Sequence, residues 1–564
     1  MNKLRLKDFF TLYIPFFLLS LIIISPKLYF FFKDKDFVNL FINLLLIQAL
    51  ILLPTIFFCL RIKVYYILLA FFCSIISLFF IPLMLLHKEI HKGLLGLVVN
   101  SSIREATELL GWLIVPILAI VITAFFAGFY LMKQLPQKIN VKTGFVASII
   151  GLMLLSILGL ANIRYYDNFY NAVSANFKNS FPTRYYFDFL NDYRNTWKIS
   201  NEEYLRATKD FKFGAIRTSS TNKRRIVVLV IGESCRYDHW QINGYSRQTS
   251  PLLAKEHNLF SFHNVASGAS VTHRSVPMLI TRAGVETWSD HFTQKGLLYA
   301  FREAGYYTAW VSNQEKEIST ANLHIADADT ALIKDYNDNN NFMVANNYDE
   351  NLLHPLTRLI KEKSSDIFIV LHTLGSHWDY RFRVPAGKEK FPVKDFYIFN
   401  HSLADKQNIV NAYDNTIAYT DEFLDSVITT LKMTSEEACL LFISDHGESL
   451  MDNGDYNILH AFEPCYYSIQ VPLFFWFSDA LVNANPHFTD GLTGNQNKAV
   501  SSAESIFYTT LHLGNIDIPS DPNFKKRDLF SSSFVESKQK VLKENNTITT
   551  LPVLKAEMNS EKRN

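Results

Sequence analysis

Five apolar stretches crowd into the first 163 residues, near 9–25, 37–60, 64–86, 110–132 and 143–163. Each approaches the roughly 20 helical residues that a bilayer core of about 30 Å demands, so residues 1–163 are expected to form a five-helix transmembrane domain. The first stretch, FFTLYIPFFLLSLIIIS, runs into Ile24-Ser25-Pro26-Lys27 rather than a small-residue cleavage site, and it reads as a retained anchor. These stretches account for a mean hydropathy of +0.06 over 564 residues, high for a soluble enzyme.

Charge divides the chain at the same place. Residues 1–163 carry a formal +8 and the remainder −6, so the near-neutral total of +2 hides two unlike halves. That pattern excludes a wholly soluble protein, a disordered chain and a small disulfide scaffold, and the acidic remainder argues against nucleic acid as a partner. Lys3, Arg5, Lys7, Arg61, Lys63, Lys133, Lys138 and Lys142 fall in one set of loops and mark it as cytoplasmic. The opposite loops carry Lys27, Lys33, Lys35, Lys88, Lys92 and Arg104, partly neutralised by acidic neighbours. With five spans and a cytoplasmic N-terminus, everything after Ile163 lies outside.

Residues 164–221 read as linker helices. Tyr165, Tyr166, Phe169, Tyr170, Tyr185, Tyr186 and Phe187 suit either the headgroup layer of a bilayer or packing beneath the next domain. The segment Asn100–Leu110, between the third and fourth spans, is either a plain surface helix or part of a donor-lipid seat. Cys59 and Cys73 fall inside spans, which leaves Cys235, Cys439 and Cys465 outside without a CxxC spacing or a disulfide framework.

From residue 222 to 536, short apolar runs alternate with charged helical segments, the pattern of a largely parallel sheet sandwiched by helices. Residues 537–564 are charged and polar and are expected to be a solvated tail. Each apolar run ends in a polar, metal-capable cluster. Arg225–Ile231 leads to Gly232-Glu233-Ser234, Tyr307–Val311 to Ser312-Asn313-Gln314, Asp366–Leu371 to His372-Thr-Leu-Gly-Ser-His377, and Ala438–Ile443 to Ser444-Asp445-His446-Gly447-Glu448. Open parallel sheets bind ligands beyond the carboxyl ends of their strands, so four runs deliver polar groups to one edge.

Glu233, Asp445 and His446 make an N/O donor set suited to zinc or manganese; alternatively, Asp445 caps the following helix. Thr272, in the small-residue turn ASGASVTHRSVP, would sit at a helix start that favours a bound phosphate, or would simply cap that helix.

The ordered set VVLVIGESCRYDHWQINGYSRQTSP, NVASGASVTHRSVP, VLHTLGSHWDY, YDNTIAYTDEFLDSVI and SDHGESLMDNGDYNILH, after five spans, resembles the bacterial inner-membrane phosphoethanolamine transferases of the alkaline-phosphatase and sulfatase superfamily. The likeness covers the whole chain in architecture and five motifs in detail. It implies an alkaline-phosphatase-like outer domain in the periplasm. It also implies one tight zinc ion, with manganese the lesser alternative, held by Glu233, Asp445, His446 and the hydroxyl of Thr272 as nucleophile. His377 and His460 would face the transferred phosphate or a second zinc ion. Asn313, Gln314 and Lys316 match the family's donor-binding positions only loosely. Cys235 lacks the proline setting of a sulfatase nucleophile, and Glu448 would orient His446 or cap. Members of the family commonly carry cysteines where this chain has Ser267 and Met278, so that bracing is missing here.

The implied reaction moves phosphoethanolamine from phosphatidylethanolamine through Thr272 to a glycolipid such as lipopolysaccharide lipid A or core, releasing diacylglycerol. Two rival readings are a phosphoglycerol transferase of the lipoteichoic-acid type and a non-enzymatic membrane sensor with a hydrolase-like outer domain.

Overall fold

The computed structural model describes residues 6–33, 35–77, 114–133, 135, 137–180, 183–184, 187, 201–218, 223–314, 321–333, 348–394, 403–452, 460 and 463–561. The described residues fall into two compact units, one ending by residue 187 and the other starting at 201.

In the first unit, helices α1 (Leu6–Lys33), α2 (Phe37–Leu52), α3 (Ile62–Ser77), α4 (Ile114–Lys133) and α5 (Val141–Asn162) stand at the five apolar stretches. Among the described residues, two segments are long and apolar enough to cross a membrane: Phe37–Ile56 and Val141–Tyr165, with mean hydropathies of 2.2 and 2.3. The stretch expected at 37–60 is broken. Pro54 has no N–H to donate, and α2 gives way to tight turns at Leu53–Ile56 and Cys59–Arg61. Small residues let α5 approach α2 closely, as apolar helix pairs require. A Cβ on Gly151 would fall 2.9 Å from the Ala49 carbonyl oxygen, and the Ser148 hydroxyl donates to the Leu53 carbonyl at 2.8 Å. Helix α6 (Phe169–Asn179) comes next, with Tyr165, Phe169 and Tyr170 exposed. The segment 100–110 lies outside the described residues.

The second unit is built on a seven-stranded sheet. Its strands are β1 (Arg225–Gly232), β2 (Leu259–Phe262), β3 (Tyr307–Ser312), β4 (Thr330–Ile333), β5 (Ile367–His372), β6 (Glu437–Ser444) and β7 (Leu473–Phe477), in the order β2-β7-β6-β1-β5-β3-β4. Strands β6, β1, β5, β3 and β4 are parallel, but β7 runs antiparallel to both β6 and β2. The sheet is thus largely parallel, as expected, and mixed through the one antiparallel strand β7. Between β6 and β7 the described residues hold the four-residue helix Tyr466–Ile469 in place of a full crossover helix, and a parallel return needs such a crossover.

Helices cover both faces, so every residue of β1, β5, β6 and β7 is buried. On one face Val227, Leu229, Ile231, Phe368, Val370 and Leu441 pack with helices α7 (Thr272–Ile280) and α10 (Ser502–Leu513). On the other, Ile226, Val228, Val230, Ile369 and Leu440 pack with α8 (Leu353–Glu362) and α9 (Lys406–Lys432).

Two expected boundaries move. Residues 201–217, assigned by sequence to the linker, belong to the second unit: Tyr204 is buried, Phe213 and Ala215 join its core, and Ile216–Arg217 pairs with Ile516–Asp517. Residues 537–561 are not a solvated tail. They form the hairpin Lys540–Leu542 with Ile548–Thr550 and helix α11 (Leu551–Glu561), burying Val541, Leu542, Leu551 and Leu554. Four apolar residues among many charges escape a reading by composition, yet they suffice to dock the segment.

Candidate metal centre and nucleophile turn

Register alone brings the carboxylates together. Gly232 of β1 is the partner of Ser444 of β6, so the next residues, Glu233 and Asp445, leave the sheet side by side. The Asp445 N–H donates to the Gly232 carbonyl at 3.0 Å, and Ser234 N–H and His446 N–H donate to Asp445 Oδ1 at 3.1 and 2.7 Å. Gly375, in the loop after β5, must be glycine. Its φ is +47° and a Cβ there would meet the Glu233 carbonyl at 2.7 Å.

Glu233, Asp445 and His446 are fully buried and offer ligand atoms within 4.8 Å of one another. His446 Nε2 lies 3.3 Å from Glu233 Oε1 and 3.2 Å from Asp445 Oδ2. Its Nδ1 donates to the Gly447 carbonyl at 2.9 Å, which reserves the Nε2 lone pair for the centre. Thr272 is the first residue of α7. Its hydroxyl lies 3.2 Å from both Glu233 Oε2 and His446 Nε2.

These four groups are hard to bury without a cation. Burial pushes the Asp445 carboxyl up to about 7, aided by the charge of Glu233. Burial also opposes a charged His446, but Asp445 and Glu233 outweigh it and lift the imidazole to about 10. Burial disfavours the Glu233 anion too, yet hydrogen bonding and charge from His446 hold that carboxyl well below the usual range. Two oxygen donors and one imidazole nitrogen, closed off from water with a hydroxyl at their edge, fit a zinc-type ion and leave a position for a reacting group.

Around this centre the other predicted residues divide. The His460 ring sits 4.0 Å from that of His446, and burial holds it well below its ordinary value, so it is neutral. Glu448 lies beside His460 Nδ1 at 3.2 Å; of the two histidines, it is this one that it orients. His377 is on the loop after β5, its Nδ1 donating to the Trp378 carbonyl at 2.8 Å. Gln314 reaches the centre and donates to Glu233 Oε2 at 3.0 Å. The Asn313 amide donates to Asp349 Oδ1 at 3.0 Å, and Asp349 in turn accepts from Leu374 and Gly375 N–H at 2.8 and 2.9 Å. Asn313 thus supports the loop that carries His377. Lys316 lies outside the described residues.

Cys235 is buried and its thiol is pushed up to about 12, chiefly by burial, so it is no nucleophile at neutral pH. The free cysteines among the described residues are Cys59, Cys235, Cys439 and Cys465. At the positions of the missing bracing, the Ser267 hydroxyl bonds the carbonyl oxygens of Ala269 and Asp445, and Met278 packs with Ala269 and Leu542. Sequence reasoning passed over Ser234 and Ser275, whose hydroxyls touch Glu233 Oε1 at 2.9 Å and Asp445 Oδ2 at 3.5 Å. Spacing of one after Glu233 and three after Thr272 was the available signal.

The chain belongs to the Sulfatase family, whose profile matches residues 225–516. Among individual proteins it is similar to the phosphoethanolamine transferase EptA of Escherichia coli K12, 30% identical over 328 residues that cover 57% of this chain and 58% of that one. It is also similar to the phosphatidylethanolamine transferase Mcr-1 of Escherichia coli, 28% identical over 371 residues, 62% of this chain and 65% of the other. The chain spans between about half and two thirds of the length of these curated relatives. Of solved structures, the integral membrane lipooligosaccharide phosphoethanolamine transferase A of Neisseria meningitidis matches with a TM-score of 0.71 at 23% identity, over 91% of this chain and 97% of that one. The C-terminal periplasmic domain of Escherichia coli EptC, solved in complex with zinc, matches with a TM-score of 0.53 at 24% identity, over 60% of this chain and 95% of that domain. The alkaline-phosphatase-like fold of the second unit is thereby established, and the resemblance read from the five motifs is to this same group of proteins.

Proposed function

We propose that this chain is a membrane-anchored, zinc-dependent phosphoethanolamine transferase, drawing on phosphatidylethanolamine and serving a cell-envelope glycolipid of the lipopolysaccharide class, at lipid A or core. The observation that carries the proposal is the Thr272 hydroxyl at a helix start, 3.2 Å from both a buried carboxylate and a buried imidazole. The names of the relatives, phosphoethanolamine and phosphatidylethanolamine transferases, support the donor.

Glu233, Asp445 and His446 would hold the zinc ion, which when bound supplies positive charge that favours the threonine alkoxide and the phosphoryl oxygens. The rest is the work of side chains. The Thr272 hydroxyl proton has Glu233 Oε2 as an acceptor at 3.2 Å. Thr272 Oγ1 attacks the lipid phosphorus, its new P–O bond forms as the bond to the glycerol oxygen breaks, and diacylglycerol departs with a proton. An acceptor hydroxyl or phosphate then attacks the phosphothreonine and frees Thr272. The start of α7 at Thr272, the positive end of the helix dipole, would favour the charge of the phosphoryl oxygens. His460, neutral and oriented by Glu448, and His377 face the transferred group or hold a second zinc ion, and Gln314 keeps Glu233 in place.

A lipid donor explains the first unit. We read residues 1–163 as five spans with the N-terminus cytoplasmic, residues 164–200 as a linker along the bilayer, and residues 201–561 as a periplasmic catalytic domain at the inner membrane. The deciding experiment is peptide mass spectrometry of the detergent-purified protein after incubation with phosphatidylethanolamine, with Thr272→Ala beside it. A phosphoethanolamine adduct on the Thr272 peptide, absent in the variant, supports the whole scheme. An unmodified Thr272 with no diacylglycerol released overturns it and turns attention to phosphatidylglycerol.

A further inference from the structure

Helix α7 starts with little hold of its own. It has nine residues, and Val271 at its N-cap offers no side-chain cap. Pro277 within it has no N–H to give the His273 carbonyl one turn back. A helix this short gains its order from what packs on it.

The packing on its first turn comes from the far end of the chain. The turn of the C-terminal hairpin places Glu544 Oε1 2.9 Å from Arg274 Nε and 3.5 Å from His273 Nε2. Arg274 also donates to the Glu544 carbonyl at 3.1 Å and to Asn546 Oδ1 at 2.9 Å, so the hairpin turn takes both terminal nitrogens of the guanidinium and sets a carboxylate beside the third. Leu542 N–H donates to the Gly268 carbonyl at 2.8 Å, and its side chain closes the cluster of Ala269 and Met278. The opposite side of the hairpin grips the other chain segment of the site. Val541, Leu551 and Leu554 pack on Ala266 and Ile469, and Lys543 Nζ meets Glu463 Oε2, three residues past His460, at 3.3 Å.

Glu544 is an unusual group to find there. Its side chain is 13% exposed. Burial opposes its charge, but His273 and Arg274 outweigh burial and hold its carboxyl at about 2. An anion kept charged in so dry a place serves its partners, and both partners directly follow Thr272 in sequence.

We infer that Glu544 is a positioning residue for Thr272: through Arg274 and His273 the C-terminal hairpin fixes the first turn of α7, and with it the direction of the threonine hydroxyl. This rests on Thr272 being the nucleophile, as proposed above. The effect required is small in distance and large in rate, because a displacement of about 1 Å at a reacting atom can cost about a hundredfold.

The test uses the full chain in detergent, as wild type, Glu544→Gln, Glu544→Asp, Arg274→Gln and the Glu544→Gln/Arg274→Gln pair. Hydrogen exchange is followed on peptides covering 266–280 and, as a control, 225–232; transfer from phosphatidylethanolamine gives kcat and KM. Glu544→Gln is expected to speed exchange at 272–276 by about tenfold with the control unchanged, and to lower kcat by about tenfold with KM within about twofold. Glu544→Asp should regain most of the protection, and in the pair the second substitution should add less than about twofold. Unchanged exchange at 272–276 overturns the inference, as does loosening that spreads equally to 225–232, which would mark a general structural role. If the wild type transfers nothing, the transferase reading fails while the exchange data still decide the role of Glu544.

Discussion

Arg236 offers the sharpest test of how the site is held. It is buried, with its guanidinium paired to Asp452 at 2.8 Å and Asp238 at 2.7 Å and lying 4.1 Å from the centre of the Tyr467 ring. Asp452 also accepts from Leu450 N–H at 3.0 Å, so the pair pins the chain between His446 and His460. Arg236→Leu removes the cation and strands Asp452, whose side chain is 17% exposed, whereas Asp238, at 40%, keeps much of its water. Breaking a buried pair from one side costs about 3–5 kcal/mol. For a unit spanning residues 196–564, an unfolding entropy of about 2.1 cal/mol/K per residue turns that into a loss of about 4–6 °C in Tm. Differential scanning fluorimetry of the detergent-purified protein reads it directly. Arg236→Leu combined with Asp238→Asn and Asp452→Asn removes the stranded charges as well and should recover at least half of the loss. A single variant that melts within about 1 °C of wild type, or a triple variant no better than the single, would refute the reasoning.

The acid limb of stability should carry the mark of Glu544. Its folded carboxyl sits at about 2, below the roughly 4.3 of an unfolded glutamate, so its contribution is complete above about pH 5 and drains away as pH falls toward 2, up to about 3 kcal/mol in all. Tm measured from pH 6 to 3 should therefore fall more gently in Glu544→Gln than in wild type, and parallel slopes would contradict the assignment. Chelation at neutral pH should abolish transfer and lower Tm, because the buried Glu233 and Asp445 would then face each other across His446 without the ion; added zinc should restore both, and a chelator-treated protein with unchanged Tm would count against a metal in this centre. Thr272→Ser keeps a hydroxyl at the same helix start and should retain activity within about tenfold, while Thr272→Ala should lose at least about a thousandfold; comparable losses in the two variants, by diacylglycerol release, would deny the hydroxyl its role.

Much of this architecture was legible because it is periodic or local. Among the described residues a helix stands at each of the five apolar stretches, the second cut short at Leu52, and the runs at 225–231, 307–311, 366–371 and 438–443 each became a strand with its polar residues at the same end. The meeting of Glu233, Asp445 and His446 was legible from their places at strand ends, whereas Thr272 joined them only through a resemblance, since its turn reads equally as a plain helix cap. What escaped was non-local. The antiparallel course of β7 has no local signal, since Leu473–Phe477 is as apolar as any parallel strand. The packing of 540–554 depends on Val541, Leu542, Leu551 and Leu554, whose spacing carries no clear strand or helix signal. Glu448 was read as orienting His446 or as a surface or capping residue, and it pairs with His460, a contact that sequence spacing does not signal.

The centre also shows why register matters more here than any single side chain. Two strands in parallel pairing, one residue out of step, would carry Glu233 and Asp445 apart and put Gly232 opposite a different neighbour. Because side chains alternate across the sheet, such a slip would also move each residue of the shifted strand from one packed face to the other and break the fit of both cores. The core therefore holds the carboxylates adjacent and dry, and burial first, then the charge of Glu233, lifts the Asp445 carboxyl to about 7. A bound cation reverses the sign of that repulsion. The same adjacency that weakens the metal-free protein would then give the ion its affinity, so a variant that removes one of the two carboxylates and keeps the sheet intact should bind zinc more weakly while its metal-free form gains stability.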